Sequence, residues 1–308
     1  MTTTYGVISD LHAIGIQVVP HVIEILKHEE VDALVLNGDL FGERSGVHPQ
    51  QYLATLLDIA ARSGLETYVL PGSHEEVHIF EPVLLHFTQK YGNIIDTFNN
   101  PKIVRGDHHL VFLQGSDWRA GGALQHGYSL GDGQDSGFYP NEKGFLRVVN
   151  ISDLQTLVTE PERTIVFSHV PRRFDTPETG VDMAEFWETQ TEFQSGDQIS
   201  PVGSIFPGPV GIQLARDGAP VKFKRENRGN EDLRRVYDAL GISKGVTGHF
   251  HESAGRATDA AGVPVEEGVF ASSFFYNASY LDQLLVGMVS VNDTKVAYEN
   301  FDFKKYGG

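Results

Sequence analysis

The chain has 308 residues, enough for one large α/β domain or two smaller ones, and its 40% hydrophobic content supports a substantial core. Its 24 Lys plus Arg against 41 Asp plus Glu give a formal charge of −17, which disfavours nucleic acid as a partner but not small anions, since bound cations reverse the sign locally. Zero cysteines exclude disulfides and thiolate zinc sites, no basic region followed by an apolar stretch opens the chain, and no apolar run approaches the roughly 18 residues of a membrane span, so a cytoplasmic protein without membrane contact is expected.

The first third alternates strand and helix, with strands near 4–9, 32–37 and 66–70 and helices near 16–29 and 49–63. That rhythm predicts parallel β-α-β units. Beyond residue 100 the strands come faster, as at His109–Leu113 and Thr164–Phe167, and after residue 250 only strand-like runs remain, so the second half reads as a mixed sheet. Residues 170–229 hold six of the 14 prolines and seven glycines, with little periodicity apart from a short helix expected at Met183–Thr189. They read as a loop-rich insertion within a single domain spanning 1–308. A second loop-like stretch covers Gly121–Asn141, and a helix at Asn230–Leu240 leads into a strand before Gly248.

Five short segments carry hard metal ligands: Asp10-Leu11-His12, Gly38-Asp39, Gly72-Ser73-His74-Glu75, Ser168-His169 and Gly248-His249-Phe250-His251. Asp10 and His12 are spaced so that both side chains share one face of an extended segment, and one cation can be gripped by both. Alone such a pair is weak evidence, but it follows the apolar run Tyr5–Ile8. Asp39 follows Ala33–Leu36 in the same manner; a carboxylate has two oxygens and can bridge two cations, and Gly38 before it permits close backbone approach. His249 and His251 repeat the alternate spacing after Gly245–Thr247, and two imidazoles on one face suit Zn, Mn or Fe. His169 adds another imidazole at a strand end. Ordinary core histidines and solvated turns would explain any one of these, but would have to recur after several apolar runs to explain all.

In this order the segments resemble the motifs of the calcineurin-like metallophosphoesterase superfamily, which run Asp-x-His, Gly-Asp, Gly-Asn-His-Glu/Asp, His and Gly-His-x-His. The resemblance spans residues 5–251. It implies an α/β fold, a four-layer α/β/β/α sandwich of two mixed sheets flanked by helices, with the ligands on loops at one edge. It also implies two divalent metal ions, Mn2+, Fe2+/Fe3+ or Zn2+: Asp10, His12 and His251 would hold one, His169 and His249 the other, and Asp39 would bridge them. Ser73 stands where the family pattern has Asn, the remaining ligand of the second metal. A serine is shorter and its hydroxyl is a poorer donor, so the second ion is expected to be held weakly.

The implied activity is hydrolysis of a small phosphodiester, nucleotide or phosphomonoester by a metal-bound hydroxide, with the catalytic pair Asp39 and His74, the latter as general acid. Two other readings stay open: a nuclease of the same superfamily, and a weakly active or non-catalytic metal-binding scaffold, motivated by Ser73. The run His74-Glu75-Glu76-Val77-His78 also matches the zinc-peptidase pattern His-Glu-x-x-His. That motif needs both histidines inside one helix, yet here the first follows the turn Leu70-Pro71-Gly72-Ser73, and Pro82 comes soon after. Arg172 and Arg173, next to His169, are candidates for holding substrate phosphate. His108-His109 and Asp132 with Asp135 lack matching ligand spacing and read as structural, while the basic run Lys222, Lys224, Arg225 and Arg228 reads as ordinary surface charge in preference to a small basic rim. Aromatics of Phe270–Tyr280 can pack in the core or stack on a nucleobase, and core packing is the expectation.

Overall fold

The structure is a computed structural model that describes residues 2–12, 15–41, 46–75, 77–114, 137–141, 144–148, 151–195, 198–278 and 280–305. Asp132, Asp135 and most of the stretch Gly121–Asn141 lie outside these. In chain order the strands are β1 (Thr3–Ile8), β2 (Ala33–Asn37), β3 (Glu66–Leu70), β4 (Ile94–Asp96), β5 (Lys102–Arg105), β6 (His108–Leu113), β7 (Gly137–Asn141), β8 (Gly144–Val148), β9 (Thr164–Ser168), β10 (Met183–Thr189), β11 (Phe193–Ser195), β12 (Gln198–Ser200), β13 (Ile205–Phe206), β14 (Val221–Asn227), β15 (Lys244–Thr247), β16 (Ala257–Thr258), β17 (Phe274–Asn277), β18 (Leu285–Asn292) and β19 (Lys295–Asp302). The α-helices are α1 (Val19–His28), α2 (Pro49–Arg62), α3 (Val77–Lys90), α4 (Leu154–Leu157), α5 (Gly208–Arg216) and α6 (Glu231–Leu240).

Local chemistry sets the helix ends. The Asn230 side chain accepts from the Leu233 N–H at 2.7 Å, Glu231 and Asp232 occupy the first turn of α6, and Gly241 closes it in the left-handed region. Helix α3 runs through Pro82 instead of stopping before it; the cost is one missing backbone donor in the second turn, outweighed by burial of Phe80, Leu84 and Phe87.

Two six-stranded mixed sheets form the body, ordered β19-β18-β1-β2-β3-β4 and β16-β17-β15-β9-β6-β5. Within them β1 to β4 are mutually parallel, as are β6, β9, β15 and β17. The period-two alternation of each strand divides its apolar residues between two layers. Tyr5, Val7, Val35, Tyr68 and Leu70 of the first sheet meet Leu110, Phe112, Ile165, Phe167 and Val246 of the second. Ile8, Leu34, Leu36 and Val69 face the other way, onto α1, α2 and α3. Val111, Leu113, Val166 and Phe275 likewise face Leu154 of α4 and Leu233, Val236 and Tyr237 of α6. The result is the α/β/β/α layering expected from the resemblance. Because both faces of each sheet are covered, the central strands are continuous apolar runs, and truncating one inter-sheet residue such as Phe167, fully buried, costs about 3–5 kcal/mol.

Residues 183–227 depart from expectation. The Met183–Thr189 stretch is strand β10, not a helix, and it is the centre of a three-stranded antiparallel sheet ordered β13-β10-β14. Its buried residues are Met183, Phe186 and Thr189, a spacing of three that imitates a helical stripe, while its pairing partner starts 32 positions on, at Val221. Helix α5 lies on this sheet because Gly211 leaves room: a Cβ there would sit 2.1 Å from the Trp187 ring. The sheet is tied back to the body by Asp182, whose buried carboxylate accepts from the backbone N–H of Phe174 at 3.0 Å and of Gly229 at 2.9 Å.

Candidate metal centre

Parallel strands all end on the same side, so the residues that follow β1, β2, β3, β9 and β15 gather at one edge of the paired sheets. Backbone bonds lock these loops together: the N–H groups of Asp10 and Leu11 donate to the carbonyls of Gly38 and Asp39 at 3.2 and 2.8 Å, and the Gly248 N–H donates to the His169 carbonyl at 3.0 Å. Asp10, Asp39 and His249 adopt φ values of 59°, 53° and 70°, a left-handed conformation uncommon outside glycine and typical of functional turns. Gly38 has φ 86° and its missing side chain matters twice, since a Cβ would lie 2.6 Å from His169 Nδ1. At Gly248 a Cβ would meet Asp10 Oδ2 at 2.6 Å.

The side chains converge in two sets. Asp10, His12 and His251 offer ligand atoms within 4.8 Å of one another, as do Asp39, His169 and His249, and a third such set, His12, Asp39 and His74, connects the two. His251 Nε2 is 3.2 Å from Asp10 Oδ1, His12 Nε2 lies 3.8 Å from Asp10 Oδ1 and 3.6 Å from Asp39 Oδ2, and His169 Nε2 lies 2.9 Å from Asp39 Oδ2. Donors sharing one cation at bonds of about 2.0–2.2 Å must stand about 3.0–3.5 Å apart, so these separations suit metal ions. His169 makes the test sharper. Its Nδ1 lies 3.0 Å from the Asn37 carbonyl, which can only accept, so Nδ1 carries the proton and Nε2 turns a lone pair toward the Asp39 carboxylate. Two acceptors at that range, both buried, require a proton or a cation between them.

Electrostatics agree. Burial alone would raise the Asp10 pKa, but hydrogen bonds from His12 and His251 outweigh it and hold the carboxyl well below its ordinary range. Asp39 is held well below its range in the same way, against its burial, by the charges of His169 and His74. Burial would lower His169, yet Asp39 and Asp10 lift it to about 10. Burial and the neighbouring His169 push His249 down to about 3, so it is neutral, the state a ligand needs.

Ser73 reaches the cluster, but its hydroxyl donates to both Asp39 oxygens, at 3.1 and 2.9 Å, and so braces that carboxylate. His74 follows it, with Nε2 3.8 Å from Asp39 Oδ2 and its backbone N–H on Asp39 Oδ1 at 2.9 Å. Because α3 begins at Val77, His74 precedes the helix, which removes the helical spacing a zinc-peptidase motif needs. Glu75 is a positioning residue that the spacing argument passed over. Its fully buried carboxylate accepts from the backbone N–H groups of Gly72 (2.5 Å), Asp39 (3.1 Å) and Leu40, and so clamps the β2 and β3 loops to each other. Burial and the charge of Asp39 push it up to about 7. The available signal was a carboxylate directly beside the predicted general acid His74.

Arg172, expected to hold substrate phosphate, packs away from the cluster. Its buried guanidinium donates to Asp238 at 3.1 Å and sits 5.0 Å from the Phe174 and Phe275 ring centroids, a packing role that leaves it outside the cluster. Arg173 is half-buried and likewise not among the described residues lining the cavity at the cluster. His108 bonds Tyr5 Oη at 2.7 Å and Asp107 at 2.9 Å, and Lys224 and Arg225 pair with Glu188 and Glu185; these groups are structural. Phe274 and Tyr276 pack between the sheets, whereas Tyr280 stacks on His251 with ring centroids 3.8 Å apart. The cavity has a volume of about 610 Å³; His12, His74 and His251 line it together with Pro207–Val210 at the start of α5, and so do Glu252, Tyr280, Asp282 and Gln283.

A two-sheet α/β/β/α sandwich with an Asp/His cluster at its strand ends defines a metallophosphoesterase-type protein. A model of the calcineurin-like phosphoesterase family matches residues 3–253, and the chain belongs to that family. It is therefore a metal-dependent phosphoesterase in the general sense. No curated protein matches the chain in sequence. Among solved structures, one crystal structure is similar over 98% of this chain and 100% of its own, with TM-score 0.54 and 12% identity. TT1561 of Thermus thermophilus is similar over 97% of this chain and 99% of its own, with TM-score 0.53 and 10% identity. At such identities these likenesses speak to the fold. No helix of the described residues is long and apolar enough to cross a membrane.

Proposed function

We propose that the protein hydrolyses a small phosphoester, a diester or a nucleotide-sized monoester, at a centre for two divalent metal ions. The observation that carries this reading is the meeting of six ligands from four loops, with His169 Nε2 and Asp39 Oδ2 facing each other at 2.9 Å. Asp10, His12, His251 and the shared Asp39 would hold one ion, and Asp39, His169 and His249 the other. When bound, the ions supply a water nucleophile at neutral pH and neutralise charge on the phosphoryl oxygens.

The chain's own groups do the rest. Ser73 and the His74 N–H orient Asp39 so that its Oδ2 points at His169 and His12. Glu75 holds the two loops that carry Asp39 and His74 at a fixed separation. His74 lines the cavity and gives a ring proton to the leaving-group oxygen as its bond to phosphorus breaks. Purified protein supplied with Mn2+ is expected to hydrolyse bis-p-nitrophenyl phosphate or p-nitrophenyl phosphate, to lose activity on chelation and to regain it with metal. Cleavage of single-stranded DNA in preference to these would favour a nuclease, and no turnover with any divalent metal would leave only a metal-binding scaffold.

A further inference from the structure

The cavity has the volume of a small-molecule site, about 610 Å³, and its walls say more about the substrate than the metal cluster does. Besides the cluster histidines it is lined by two carboxylates, Glu252 and Asp282, and by the aromatic ring of Tyr280; among its described lining residues none is Lys or Arg. The carboxylates are not a free-standing acidic patch. Glu252 directly follows the ligand His251, and Asp282 lies two residues after Tyr280, whose ring stacks on that same His251. Once the phosphoryl charge is matched by the metal ions, these two acidic groups set the field felt by the rest of the substrate, and the chain's formal charge of −17 adds to it. A second phosphate or a carboxylate on the alcohol would be repelled there. An ammonium group would be attracted, and an aromatic ring beside two carboxylates is a composition that holds such a cation. Pro207, Pro209 and Val210 add apolar surface for methyl or methylene groups.

We infer that the preferred substrate is a phosphodiester in which one alcohol bears an ammonium group, held by Glu252, Asp282 and Tyr280. The inference rests on the phosphoesterase reading above and names its substrate class. The reaction is plain hydrolysis: the oxygen of water bonds to phosphorus as the water gives up a proton to solvent, the bond from phosphorus to the leaving alcohol breaks, and that alcohol takes the proton from His74, which solvent then restores.

The test compares two chromogenic diesters of equal size and equal leaving group, p-nitrophenyl phosphorylcholine and its uncharged carbon isostere p-nitrophenyl 3,3-dimethylbutyl phosphate, with Mn2+-loaded protein. The choline ester is expected to show kcat/KM about tenfold higher, as suits opposite charges a few Å apart in a partly solvated cavity. The double variant Glu252→Gln, Asp282→Asn should bring the ratio toward one; continued hydrolysis of the isostere would show that the variant is folded. A wild-type ratio of one or less, or a double variant that keeps the full preference, overturns the inference while the phosphoesterase reading stands. Hydrolysis of p-nitrophenyl phosphate with neither diester cleaved has the same effect. No hydrolysis of any of the three, with any divalent metal, overturns both.

Discussion

Metal binding to this centre should be strongly pH-dependent, and the structure says by how much. In the metal-free protein the proton between His169 Nε2 and Asp39 Oδ2 occupies the place a cation would take, and its pKa is lifted to about 10 by the carboxylates of Asp39 and Asp10, against the opposing effect of burial. A metal ion must displace that proton. At pH 7 the competent form is then about one part in a thousand, so apparent affinity is weakened about a thousandfold and recovers about tenfold per pH unit toward pH 10. His249, pushed down to about 3, is already neutral and adds nothing to the slope. His12, raised by Asp10 and Asp39 against its burial, steepens it. The same linkage runs through folding: a histidine whose folded pKa is raised stabilises the metal-free protein fully below its ordinary pKa, and that contribution is lost as pH rises through about 10. Calorimetric titration with Mn2+ between pH 6.5 and 8.5, in buffers of different ionisation enthalpy, should show at least one proton released per binding event and a log Kd that falls by one or more per pH unit. A Kd independent of pH, or binding without proton release, would mean that no proton is displaced from between His169 and Asp39.

Three further outcomes are expected. His74→Ala should lower kcat about 10²–10³-fold for diesters with an alkyl alcohol as leaving group and far less for p-nitrophenol, which needs little protonation; equal losses in steady-state kinetics would argue against a general acid. Glu75→Gln leaves the N–H groups of Asp39, Leu40 and Gly72 with only one acceptor oxygen, so metal affinity should drop about tenfold in titration. In the wild type, burial beside Asp39 holds the Glu75 pKa up at about 7, so metal-free stability falls as pH rises from about 4.5 to 7; this slope, followed by chemical denaturation, should shrink in the variant. Ser73→Asn replaces a hydroxyl that donates to Asp39 with a side chain whose carbonyl oxygen is a better ligand, and should tighten the weaker ion about tenfold, read as metal-to-protein stoichiometry after dialysis.

The layers of the fold and the members of the cluster were largely legible because both depend on local pattern. Apolar runs that end in Asp or His mark buried parallel strands and the edge where their loops meet, as at Ile8 and Asp10 or Asn37 and Asp39. What the sequence hid depends on distant partners. Met183, Phe186 and Thr189 are buried at intervals of three, and only pairing with Val221–Asn227 makes them a strand. Arg172 stands three positions from His169, yet Phe174, Phe275 and Asp238 draw its side chain elsewhere. Glu252, Tyr280 and Asp282 come to the cavity from short 3-10 turns and their start, without any spacing signal, and Glu75 reveals its part only through the backbone groups of another loop.

The three-stranded sheet of residues 183–227 also sets how this protein can be altered. Ligand loops crossed by left-handed turns and squeezed against Gly38 and Gly248 tolerate almost no redesign, whereas Pro207–Val210 reaches the cavity from a separate sheet anchored through Asp182. Libraries aimed at new selectivity should therefore randomise that outer wall and spare the strand ends. That part of the cavity wall is carried by a piece of the chain separate from the ligand loops, and it can drift while they stay fixed.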